Sequence, residues 1–261
     1  MDVNKLKLLA NTLKYLKAKQ VFFRLYYFLK NPLLKYSPKK RSPSNFNPIS
    51  WKDGIYNYTS FDSKELTFNF LNISHSFNDK IDWNYQKYGK LWIYNLNYFD
   101  FLMQENISKE TGLALIKDFI KNDALLKDGN EPYPISLRGV NWVKFLAKNS
   151  INDSSIEKTL YNNYKKLYRN LEYHILGNHL LENAFSLLFG AYYFQDENFY
   201  IKSKKLLVSE LSEQVLKDGA HFELSPMYHQ IILTRLLDSI QLIKLNREWK
   251  KDDLLSFLES K

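Results

Sequence analysis

The sequence has no cysteine, and only eight glycines and seven prolines in 261 residues. Without cysteine there is no disulfide framework, no thiolate metal site and no thiol nucleophile. The scarcity of glycine and proline argues against a turn-rich all-β fold, which uses both between its many short strands. No apolar run reaches the roughly 18 to 20 residues of a membrane-spanning helix. The best candidates, 21–29 and 184–194, are short, and Arg24 breaks the first. The start, Met1-Asp2-Val3-Asn4-Lys5, scatters lysines through its apolar positions and lacks the apolar core and cleavage site of a secretory signal. A cytoplasmic protein, or one made without a cleaved signal, is expected.

What is present is material for a core: 45% of residues are hydrophobic and 16% aromatic, which rules out a disordered chain. Lys and Arg number 37 against 28 Asp and Glu, a formal net charge of +9 and a pI near 9.3. That balance favours an anionic partner: nucleic acid, anionic lipid or an acidic polysaccharide. A lysine- and asparagine-rich proteome produces the same excess with no partner at all.

Proline divides the chain. Pro32, Pro38, Pro43 and Pro48 cluster in one stretch, leaving Pro132, Pro134 and Pro226 for the rest. Residues 1–50 therefore read as two short helices followed by a Pro/Ser/Lys linker, and 51–261 as the main domain. Leu6, Leu9, Leu13 and Leu16, then Val21, Phe22, Leu25 and Phe28, give the helical spacing, with lysines between. Such a basic amphipathic segment docks on its own domain or lies on a membrane surface. Between Trp51 and Trp92 imperfect alternation predicts a short β-hairpin. Helical blocks follow at about 98–105, 109–121, 136–149, 155–175, 179–194, 197–216, 227–245 and 250–259. Ser154 with Glu157 has capping-box spacing, Asp196 caps the block it precedes, and Ser225-Pro226 places a cap before proline. Antiparallel helices joined by short loops make a bundle, a solenoid or an α/α toroid. The irregular block spacing supports no fixed-period repeat.

Polar residues concentrate at two helix starts. In Gly177-Asn178-His179-Leu180-Leu181-Glu182, Gly177 suits a left-handed cap ending the preceding helix and Asn178 the N-cap of the next, with His179 and Glu182 on one face. In Asp218-Gly219-Ala220-His221-Phe222-Glu223-Leu224-Ser225-Pro226-Met227-Tyr228-His229, Tyr228 falls in the first turn. Free N–H groups and the macrodipole favour negative charge there. An amide that holds a carboxylate beside a tyrosine that moves a proton suits β-elimination from a uronate sugar. Each residue also has an ordinary reading: Asn178 as a cap, Tyr228 as packing, His179, His221 and His229 as hydrogen-bonded structural histidines. The spacing of His221, Glu223 and His229 is not that of a zinc protease, and no phosphate loop, serine elbow or nucleic-acid motif occurs.

At these residues the sequence resembles the N-terminal helical domain of the heparinase II/III-like polysaccharide lyases. Leu91-Trp92-Ile93-Tyr94-Asn95-Leu96-Asn97-Tyr98-Phe99-Asp100 and Pro132-Tyr133-Pro134-Ile135-Ser136-Leu137-Arg138-Gly139-Val140-Asn141-Trp142 carry the likeness together with the Asn178 and Asp218–His229 blocks, in the family's order. The resemblance implies a mainly α, incomplete α/α toroid acting on acidic polysaccharide, with no metal or cofactor. It gives Asn178 the task of neutralising the uronate carboxylate and makes Tyr228 the general acid, and in some substrates the base. His179 joins them as catalytic, while Glu182, Arg138, Trp142 and His229 hold the sugar. A further catalytic histidine of the family comes from a C-terminal β-sandwich. The sequence stops at Lys261 before any such domain, as a fragment or a natural truncation would. An acidic-glycan-binding module and an α/α-toroid hydrolase using Glu182 and Glu223 are the alternatives.

Overall fold

The computed structural model describes residues 7, 8, 11, 14–33, 49–52 and 58–261. The expected linker and much of the first short helix lie outside the described residues. Helix α1 (Ala18–Leu33) precedes a sheet of β1 (Phe61–Asp62), β2 (Thr67–Phe70) and β3 (Ile73–Ser76). The remaining helices are α2 (Lys90–Tyr98), α3 (Lys109–Asn122), α4 (Pro132–Lys148), α5 (Ser154–Arg169), α6 (Gly177–Phe194), α7 (Glu197–Gln214), α8 (Pro226–Leu245) and α9 (Leu254–Glu259). The fold is mainly α and toroid-like, with one small antiparallel sheet.

The expected hairpin is a three-stranded sheet in order β1-β2-β3, with Phe61 opposite Phe68 and Phe68 opposite His75. Leu71 and Asn72 both take positive φ, as the tight turn between β2 and β3 requires. Phe61, Phe68 and Phe70 point inward onto Phe101 and Trp92, which fixes the register. Helix α2 spans the junction between the hairpin region, read to Trp92, and the first expected helical block at 98. Gly89, at φ +84, turns the chain into it, and Trp92, Ile93 and Leu96 bury its inner face.

The core is built around α6, whose residues Leu180 to Phe194 are all buried. Helix α6 packs chiefly on α7 and α4, and also on α5 and α8. Close approach to α5 depends on two glycines. A Cβ on Gly139 would stand 2.9 Å from the Tyr164 hydroxyl, and one on Gly190 would stand 2.7 Å from its ring, so Tyr164 of α5 fills a slot between α4 and α6.

Several helix boundaries differ from the sequence reading. Asp153, not Ser154, caps α5, accepting from the Ser155 and Ile156 amides; Ser154 is already helical. That helix ends at Arg169, and residues 170–176 form a loop rather than a last turn. Asp196 caps α7 as expected. Ser225 stands at the cap of α8 with Pro226 behind it, but its hydroxyl makes no capping bond. Toward the C-terminus Leu242, Ile243, Leu254 and Leu258 are buried, whereas α8 leaves Met227, Leu233 and Leu237 exposed.

Candidate active site

Two helix starts are tied together through Gln214, at the end of α7. Its amide nitrogen donates to the Gly177 carbonyl (3.1 Å), and its Oε1 lies 3.2 Å from His221 Nε2. The His221 ring in turn lies 6.4 Å from that of Tyr228. A Cβ on Gly177 would sit 3.6 Å from Glu223 Oε1, so the Gly177 start and the loop leading into α8 are neighbours. Further along, Glu182 of α6 accepts from Arg235 Nε of α8 at 2.7 Å. Contacts at the starts and again one to two turns in make α6 and α8 parallel, with both positive dipole ends at one end of the domain.

The entry to α6 is unusual. Leu176 (φ 64, ψ −155) takes a backbone conformation that L residues rarely adopt, and Gly177 follows at φ +56. Asn178 is therefore the second helical residue, not the cap, because Leu176 occupies the cap position. Gly177 does not end the preceding helix either, since α5 stops at Arg169. Asn178 remains half-buried in the first turn, where free N–H groups favour an anion.

His179 is held from two sides. Its Nδ1 lies 3.1 Å from Glu172 Oε1, and its ring packs on Tyr133 with centroids 4.4 Å apart. Glu172 is buried, and its other oxygen accepts from Asn183 (2.9 Å), whose Oδ1 accepts in turn from the Glu172 amide. A carboxylate fixed in this way holds the imidazole with Nδ1 as donor, leaving Nε2 as an acceptor. Neither Glu172 nor Tyr133 was nominated from sequence. The loop that brings Glu172 back toward His179 was expected to be helix, which would have pointed it elsewhere.

Glu182 belongs to a buried charge cluster rather than an open pocket. It is 1% exposed and pairs with Arg235, which also faces Asp238 at 3.7 Å; Asp238 pairs with Lys144. Burial pushes the Glu182 carboxyl up, against the pull of Arg235. Burial alone would lower Arg235, but Glu182, Asp100 and Asp238 outweigh it and keep the guanidinium charged. Burial, and after it Glu182, Asp100 and Glu172, push up the Tyr133 phenol that packs on His179, against the pull of Arg235. Arg235 follows Tyr228 by two helical turns and so shares its face; that spacing was the available signal for it.

Two expected sugar-binding residues are structural. Arg138 is fully buried, its guanidinium donating to the Asn97 carbonyl (3.2 Å), the Gly129 carbonyl (2.8 Å) and Asn130 Oδ1 (3.1 Å), with Phe119 beneath it at 4.6 Å. Burial lowers its pKa to about 10. Trp142 is equally buried, edge-on to Phe99 and Phe119, and offers no platform to a sugar. Each occupies the inner side of α4, where packing rather than solvent meets it. His229 is exposed in the first turn of α8, and His221 is buried against Gln214. No group of three or more His, Asp and Glu residues suited to a metal occurs among the described residues. A cavity of about 1170 Å³ between α1 and α5 reaches His174 and Lys166 but is lined by none of Asn178, His179, Glu182 and Tyr228.

Residues 135–252, from the first turns of α4 to just before α9, match the family described as heparinase II/III N-terminus. That stretch is heparinase II/III-like. Neither a curated protein nor a solved structure matches the chain. Within the matched stretch of this heparinase II/III-like domain lie Asn178, His179, Glu182 and Tyr228, together with Glu172 and Arg235; Asp100 and Tyr133 precede it.

Proposed function

We propose that the domain cleaves uronate-containing acidic polysaccharides by β-elimination. The proton on C5 leaves to a base, its electron pair forms the C4=C5 bond, and the C4–O4 bond breaks as O4 takes a proton. Asn178, at the positive end of α6, donates to the uronate carboxylate and offsets the charge that makes the C5 proton poorly acidic. Tyr228 delivers the proton to O4. His179 Nε2, an acceptor because Nδ1 is held by Glu172, is the base that the described residues offer. Arg235 and Glu182 fix the packing of α8 against α6 and so the distance between acid and clamp.

The observation that carries this reading is the pairing of the two helix starts through Gln214, Gly177 and His221. β-Elimination requires a carboxylate clamp and a proton donor on one sugar, and these starts supply the two at one end of the domain. A retaining or inverting hydrolase needs two carboxyl groups across the cleft, roughly 5 to 9.5 Å apart with the sugar between them. Glu182 does not suit that task, because it is buried in an ion pair with Arg235.

The test is the rise in ultraviolet absorbance of an unsaturated uronate end, screened over heparan-, alginate- and glucuronan-type polymers. Tyr228→Phe is expected to lower turnover by roughly 10²- to 10⁴-fold with little change in affinity. A saturated reducing end identifies a hydrolase, and polymer bound but uncut identifies a binding module. An undiminished rate in Tyr228→Phe leaves the tyrosine a packing residue.

A further inference from the structure

Residues 3–52 contain twelve Lys and Arg and no Asp or Glu, whereas residues 53–261 contain 25 against 27. The whole basic excess of the protein therefore resides in its first fifth, and the heparinase II/III-like domain that follows is close to neutral. Helix α1 is the longest described part of that segment, and it presents two faces of opposite use.

One face is docked. Gln20 donates to the Ile175 carbonyl (3.0 Å), the Tyr27 hydroxyl to the Leu171 carbonyl (2.5 Å) and Lys30 to the Arg169 carbonyl (2.8 Å), while Phe23 stacks on Tyr173 at 4.4 Å. Just before the helix, Lys17 pairs with Glu213. These residues recur at three- and four-residue intervals and form a single stripe.

The opposite face is apolar and bare. Phe22 is 63% exposed, Leu25 59%, Phe28 76% and Leu29 60%, with Tyr26 beside them. On a helical wheel Phe22, Leu25 and Leu29 stand diametrically across from Gln20 and Tyr27. An amphipathic helix packed on its own domain buries its apolar side; this one docks a mixed stripe of Gln20, Phe23, Tyr27 and Lys30 and leaves its most apolar strip outward. Arg24 is exposed at the edge of the apolar strip and Lys14 just before the helix, while Lys19 lies over the Tyr173 ring; long stems let such charges reach past an apolar surface.

We propose that α1 seats this protein on an anionic lipid bilayer, with Phe22, Leu25, Phe28 and Leu29 entering the headgroup and acyl boundary and the cations meeting lipid phosphates. The geometry is that of a helix lying in the plane of the interface: apolar side down, domain attached above. Charge selects this occupant over a second copy of the chain. A dimer formed through this face would oppose two segments that carry cations and no acid, which costs rather than stabilises. Anionic lipid supplies both the apolar interior and the opposite charge. Catalysis by the site at the starts of α6 and α8 is not required for this binding.

Flotation of the 261-residue chain with vesicles tests it. With phosphatidylglycerol and phosphatidylethanolamine vesicles the protein is expected to float, and with phosphatidylcholine vesicles to stay behind. Phe22→Ser, Leu25→Ser and Leu29→Ser combined should lower partitioning by at least about tenfold while the melting temperature holds, because these side chains touch solvent rather than core. Lys14→Gln with Arg24→Gln should weaken binding several-fold and reduce its sensitivity to salt. Failure of the wild type to float with anionic vesicles overturns the proposal, as does equal flotation of the triple-serine variant. So does a wild-type dimer that the triple substitution converts to monomer with no change in flotation, since the face is then a subunit contact.

Discussion

The two arginines of the candidate region show how much a single residue's surroundings decide. Arg138 is fully buried and Arg235 largely so, but Arg138 is spent on three oxygens of the 97–130 region, whereas Arg235 joins α8 to α6 through Glu182. Arg138→Met should therefore leave glycan binding and its salt dependence alone and instead cost stability. Three acceptors would lose their donor, so about 3 kcal/mol or more is expected in urea melts. Normal stability with weakened binding of an anionic oligosaccharide would return Arg138 to the sugar. Glu172 makes the complementary case. Glu172→Gln keeps the size of the side chain but removes the negative charge beside His179 Nδ1. Turnover should fall about tenfold or more with KM nearly unchanged, because Glu172 touches the histidine and not the sugar. A raised KM at constant kcat would make it a binding residue instead.

The Arg138 and Glu172 cases also show what was legible at this scale. Asn178, His179 and Tyr228 could be picked out because helix starts announce themselves by local residue types. Glu172 could not, and Arg235 showed only as a residue two turns past Tyr228, since their importance lies in partners seven and fifty-three residues away in sequence.

At the scale of elements, helix ends are where local chemistry has the most control. Asp153 caps α5 with two backbone amides and the Ser155 hydroxyl, and Lys117 pairs with it at 2.9 Å. Burial works against its charge, but these hydrogen bonds win and hold its pKa down at about 2. A folded pKa below the unfolded value means stability that is present above the ordinary carboxylate range and lost as pH falls through the folded value. Asp153→Ala should thus cost about 1 kcal/mol near neutral pH. The gap between wild type and variant should close as pH drops from about 4 to about 2. Urea melts across that window check both statements, and a gap that persists at the acid end would assign the effect to packing. The sequence reading puts the cap at Ser154, one residue late, because capping-box spacing does not register which residue leaves the helix. The α2 helix was missed altogether, since a stretch of nine residues between aromatic-rich segments reads equally well as strand.

For the molecule as a whole, α6 is the axis on which the other helices depend. It touches α4, α5, α7 and α8, and Phe185 near its middle has no exposed surface. Phe185→Ala should cost about 3 to 5 kcal/mol. Because one core joins both ends of the domain, the loss should appear as a single cooperative transition seen alike by tryptophan fluorescence and far-ultraviolet circular dichroism. Two separated transitions would show that the sheet with α2 and α3 forms a core independent of α6.

What the sequence by itself determined were the properties that depend on neighbours within a few residues. Apolar period made the chain helical, aspartate and proline placed the starts of α7 and α8, and polar residues crowded at two helix starts marked the candidate site. The charge of the first fifty residues was equally open to reading. Only the tertiary structure decided which way α1 turns its apolar side, that Arg138 is interior while Arg235 ties the site, and that a loop returns Glu172 to His179. Each of these is settled by contacts between segments far apart in the chain, where the partner that a side chain meets is chosen by how whole helices pack and not by its own type.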